Sequence, residues 1–62
     1  MENKEEQYLQ LRRYGYILSD QHINNDEHDV FIRITYWLYE GKMYVSIQLN
    51  GSIIFCQQGG KL

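Results

Sequence analysis

From Val30 to Phe55 the chain reads VFIRITYWLYEGKMYVSIQLNGSIIF, a run of β-branched, aliphatic and aromatic residues with a period of two. Glu40-Gly41 and Asn50-Gly51 interrupt it. Asn-Gly between β-rich segments is the strongest short-range signal for a two-residue type I′ turn, and the pattern predicts a three-stranded antiparallel meander over residues 30–57. Two-residue loops set Tyr39 opposite Lys42 and Leu49 opposite Ser52, which fixes the register of all three strands. A three-residue loop at the first turn would place Lys42, Tyr44, Ser46 and Gln48 beside the aliphatic row of the first strand, and the pattern rejects it.

This register defines two faces. One carries Val30, Ile32, Ile34, Tyr36 and Leu38, then Met43, Val45, Ile47 and Leu49, then Ile54 and Cys56. The other carries Phe31, Arg33, Thr35, Trp37 and Tyr39, then Lys42, Tyr44, Ser46 and Gln48, then Ile53, Phe55 and Gln57. A sheet with one wet face alternates apolar with polar residues. Here the second face is aromatic and amphipathic instead, which implies that something covers it.

Upstream, Asn3 and Glu6 have capping-box spacing, Glu5 and Glu6 occupy a first turn, Arg12 and Arg13 a last turn, and Gly15 falls at a C-cap. These signals predict a helix over 4–13 with a narrow apolar stripe of Tyr8, Leu11 and Leu9. The competing reading is a strand, since Leu9, Leu11 and Ile17 also share a period of two. Residues 14–18 suit a further strand. The segment DQHINNDEHD, residues 20–29, has a single apolar residue and reads as a solvated loop turning at Asn24-Asn25. Residues 58–62, with Gly59-Gly60, read as a flexible tail. The fold class is α+β, a single small domain over 1–62: a short N-terminal helix packed on a small antiparallel sheet.

Length sharpens the picture, because a chain of 62 residues buries only about 60% of its unfolded surface and its core needs support. One cysteine, Cys56, excludes an internal disulfide and fits a reducing compartment. Six basic against eight acidic residues, a net charge of −2, argue against a general polyanion binder. No run has the length of a signal peptide or a spanning helix, so the expectation is a soluble cytoplasmic protein without membrane association.

The helix covers one face, and the aliphatic face, with more apolar area, is the expected one. That leaves Phe31, Arg33, Trp37, Tyr39, Lys42, Tyr44 and Phe55 as the expected partner-binding surface, rich in the residue types of interface hot spots. The competing explanation is that cross-strand aromatics stabilise the sheet. A protein partner, or a second copy forming a dimer, is the expected occupant. The alternative is a nucleic-acid-binding regulator that stacks bases on Trp37 and Tyr44 beside Arg33 and Lys42.

Catalytic and metal chemistry find little purchase. Asp20, His22, Asn24 and Asp26 repeat like the start of a calcium loop, but the glycine position holds Asn25 and the terminal glutamate position holds Phe31. Cys56, in an apolar row, reads as a buried inert thiol. The acids lie at the helix start, in the loop or at a turn, which are solvated places unsuited to splitting two pKa values. No catalytic residue, metal site or cofactor is assigned. The expectation is a small non-enzymatic protein-binding module, an adaptor or inhibitor of bacterial or phage type.

Overall fold

The computed structural model describes residues 3–61, with the backbone alone for residues 60 and 61. Helix α1 (Lys4–Tyr14) is followed by strands β1 (Tyr16–Asn25), β2 (Val30–Tyr39), β3 (Lys42–Leu49) and β4 (Ser52–Lys61). They form one antiparallel sheet in sequence order, β1-β2-β3-β4.

The local signals explain the helix ends. The Asn3 side chain accepts a hydrogen bond from the Glu6 N–H at 2.8 Å, and the Gly15 N–H donates to the Leu11 carbonyl at 2.8 Å. Gly15 is extended at φ −86°, so its role is steric: a Cβ there would stand 2.7 Å from the Leu11 carbonyl oxygen.

Both hairpin turns have the expected conformation. Glu40 and Gly41, and likewise Asn50 and Gly51, have positive φ at both central positions, as type I′ requires. Tyr39 faces Lys42, Trp37 faces Tyr44, and Leu49 faces Ser52. The Asn50 turn is also tied back to β2, since its Oδ1 accepts from the Phe31 N–H at 2.7 Å and its own N–H donates to the Phe31 carbonyl at 2.7 Å.

Three expectations are corrected. First, the helix lies on the Trp37 face and not on the aliphatic one: Leu11 (0% exposed), Trp37 (5%) and Cys56 (8%) form the core, with Tyr8, Tyr39, Tyr44 and Ile53 against it. The physical reason is the chemistry of the stripe. Tyr8 and Leu11 are too few to cover an aliphatic sheet, but Tyr8 meets the Trp37 ring edge-on at 6.0 Å and Gln10 Oε1 accepts from the Tyr39 hydroxyl at 3.2 Å. Thr35, Ser46 and Cys56 pair side by side across three strands, all buried. Their small side chains leave room for the helix.

Second, residues 20–25 are strand, and the turn is confined to 26–29. Asp20, His22 and Asn24 sit on an edge strand opposite Thr35, Arg33 and Phe31. Asp20 is held by Arg33, and His22 stacks on Phe31 at 5.6 Å.

Third, the register of β4 slips. Ile47 pairs with Phe55 and Gln48 with Ile53, so Ile54 is an extra residue that moves Phe55 to the aliphatic side and Cys56 beneath the helix. A second slip follows between Gln58 and Gly60. Strand β4 continues to Lys61, opposite Lys42, where a tail had been expected; Leu62 lies outside the described residues.

Candidate protein-binding surface

The seven residues expected to bind a partner do not form one surface. Trp37, Tyr39 and Tyr44 lie together beneath α1. The Trp37 Nε1–H donates to Ser46 Oγ at 2.9 Å, and the Tyr39 and Tyr44 rings meet at 5.9 Å and 60°. Phe31 and Arg33 lie towards the other end of β2 and are exposed, Lys42 is exposed at the first hairpin, and Phe55 belongs to the opposite face.

Arg33 is engaged as well. Its Nε donates to Asp20 Oδ1 at 2.9 Å and its Nη2 to Oδ2 at 2.5 Å, while Thr35 Oγ1 donates to Oδ1 at 3.1 Å. The Arg33 hydrogen bonds hold the Asp20 carboxyl below its ordinary range and raise the guanidinium in turn. An open cleft of about 340 Å³ beside this pair is lined by Tyr8, Arg12, Asp20, Arg33 and Gln48 among others. Its one carboxylate accepts hydrogen bonds from both Arg33 and Thr35. Arg12 lies over the Tyr8 ring at 5.9 Å.

Burial raises the Cys56 thiol pKa, which disfavours the thiolate a nucleophile needs. Among the described residues no three His, Cys, Asp or Glu side chains converge as a metal site would require, and no helix is long and apolar enough to cross a membrane.

The face away from the helix is different in kind. Its central strands contribute Val30, Ile32, Ile34, Tyr36 and Leu38 from β2 and Met43, Val45, Ile47 and Leu49 from β3, paired as Ile34 with Ile47 and Tyr36 with Val45. Next to them the edge strands place Ser19, Gln21, Ile23 and Asn25 on one side and Ser52, Phe55 and Gln57 on the other. No Asp, Glu, Lys or Arg stands at any of these positions. None of the central side chains is buried, and Ile23 is 63% exposed. An apolar centre with an uncharged polar margin makes this face, rather than the aromatic one, the candidate protein-binding surface.

The aliphatic row was visible in the sequence; its exposure was not, because that depended on which face the helix chose. No protein-family model matches the chain, and no curated protein or solved structure matches it.

Proposed function

We propose that the protein is a small non-enzymatic binding module of the cytoplasm that works by burying the open face of its sheet against an apolar, uncharged protein surface. The observation that carries this reading is the absence of charge from a partly exposed sheet face that no element of the chain covers and whose two central strands are apolar on that side. Soluble monomers rarely leave a contiguous apolar patch of this kind in water, and such patches mark interaction sites. The amphipathic aromatic residues support the reading indirectly, since Trp37 and Tyr44 are committed to the core under α1.

Base stacking finds no comparable support: it needs exposed rings beside free cations, whereas Arg33 is held by Asp20 and the open face carries no cation. The test is position-specific photocrosslinking in cells, with benzoylphenylalanine replacing Leu38 or Ile47 on the open face, or Arg13 on the helix. The reading expects a discrete protein adduct from positions 38 and 47, lost when Val45→Lys is added, and none from position 13. Adducts from position 13 alone, or none from 38 and 47, would overturn it.

A further inference from the structure

We infer that the protein which covers the open face is a second copy of the same chain, docked face to face as a twofold-symmetric sheet sandwich with the helices outermost; this rests on the open face being the binding surface. Four observations lead there.

The first is area. Four strands spaced about 4.8 Å apart and eight to ten residues long at about 3.4 Å per residue give a face of roughly 19 by 30 Å. That footprint, about 570 Å², is close to the roughly 600 Å² per partner at the lower end of stable specific interfaces. One copy of the face is large enough to hold another.

The second is the surface left in water. The single chain exposes 4799 Å² at 7.5 kDa, whereas the scaling for folded monomers gives about 4,250 Å² at that mass. Its radius of gyration is 12.0 Å, against about 10.6 Å for a compact domain of this length. The molecule has the shape of an open two-layer slab, and stacking two slabs closes it.

The third is self-complementarity. In a twofold contact the same patch meets itself, so any charge on it would face its own like. The open face has none. The charged residues described lie on the helix, in the turns, or on the helix side of the sheet, as Asp20, Arg33 and Lys42 do. The apolar centre has no charge with which to select a different partner either. Ser19, Gln21 and Gln57 at the margin can hydrogen-bond across the interface or remain wet.

The fourth is the core. Among the described residues only Leu11, Trp37 and Cys56 are buried hydrophobics, and a domain of this size with so small a core ordinarily needs a disulfide, a metal or a partner. Sheets stacked about 10 Å apart and rotated by about 30° interdigitate their inner side chains. Ile34, Tyr36, Val45 and Ile47 would then become the centre of a shared core.

The deciding experiment is sedimentation equilibrium of the full chain over about a hundredfold range of concentration, for the wild type, Ile47→Lys, Tyr36→Lys and the control Leu9→Lys. Circular dichroism verifies folding. Tyr36 is already partly exposed, so Tyr36→Lys keeps the test sharp should Ile47→Lys fail to fold. The expected result is a species of twice 7.5 kDa for the wild type and the control, with association weakened roughly thirtyfold or more in the open-face variants.

A dimer indifferent to both open-face variants would overturn the inference. A wild type of 7.5 kDa at all concentrations would overturn it too, and a hydrophobic dye then separates the readings. Dye binding abolished by Tyr36→Lys means the face binds some other protein. No dye binding means that the binding-module reading falls as well.

Discussion

The two faces of this sheet are built from the same alternating strands, yet they solve the problem of exposure differently. The helix-side face mixes rings with polar handles, and three of these handles find partners: Trp37 with Ser46, Tyr39 with Gln10, Arg33 with Asp20. The open face has aliphatic bulk and almost no handles. A mostly polar helix with one wholly buried residue, Leu11, can complete the first but not the second. Apolar area therefore does not decide where a short helix docks; the match of polar atoms and ring edges does.

The largest way to break the comparison is at Trp37. Trp37→Ala removes the ring against which Tyr8 packs and leaves Ser46 without its donor. The expected loss is about 3 to 5 kcal/mol, enough to unfold a domain this small. Thermal melts followed by circular dichroism should show the loss at every protein concentration.

Ile47→Ala tests the other face, and its expected cost of about 2 kcal/mol should depend on concentration, because a side chain stabilised by association loses more where association is populated. Melting temperatures over a dilution series check this. Equal destabilisation at all dilutions would make Ile47 an ordinary core residue and erase the distinction between the faces.

Gly15→Ala sharpens the comparison at the junction that sets the helix over its face. The new Cβ would meet the Leu11 carbonyl oxygen at 2.7 Å, so the helix end must shift, at a cost of about 1 to 3 kcal/mol in urea titrations.

The smallest effect belongs to Asp20. Hydrogen bonding from Arg33 lowers its folded-state pKa below the ordinary 3.8. Its stabilisation is therefore present above that value and disappears as pH falls through the lowered folded pKa. The pair is well exposed, and solvent screens it. Asp20→Asn should slightly lower stability at neutral pH and remove this part of the acid dependence, as parallel urea titrations at pH 7 and below about pH 3 would reveal.

The meander was legible in the sequence because its turns are chemically specific: Glu40-Gly41 and Asn50-Gly51 admit positive φ at two successive positions, and this sets every pairing of β2 with β3. The helix was legible from Asn3 and Gly15. Strand β1 was less so, because an edge strand can carry Asp20, His22 and Asn24 when their partners, Arg33 and Phe31, come from distant positions.

The slip at Ile54 was illegible for a different reason. Ile53, Ile54 and Phe55 are consecutive apolar residues between two apolar faces, so neither parity is penalised and the pattern carries no information about which is adopted. For the candidate surface, the rows of β2 and β3 were read correctly, Phe55 and Cys56 were put on the wrong sides, and the helix was given to the wrong face. The last of these errors came from weighing area alone.

The strand order β1-β2-β3-β4 joins each strand only to its neighbours in sequence. Loop closure is therefore local at every step, and the chain contains no proline to impose a slow isomerisation. Hairpins of this kind form in about 1 to 10 μs. If the proposed dimer forms, each copy reaches its sheet far sooner than two dilute copies can meet, and the newly folded molecule passes through an interval in which its aliphatic layer is complete and uncovered. In that interval it is most vulnerable to aggregation, and local protein concentration sets how long the interval lasts.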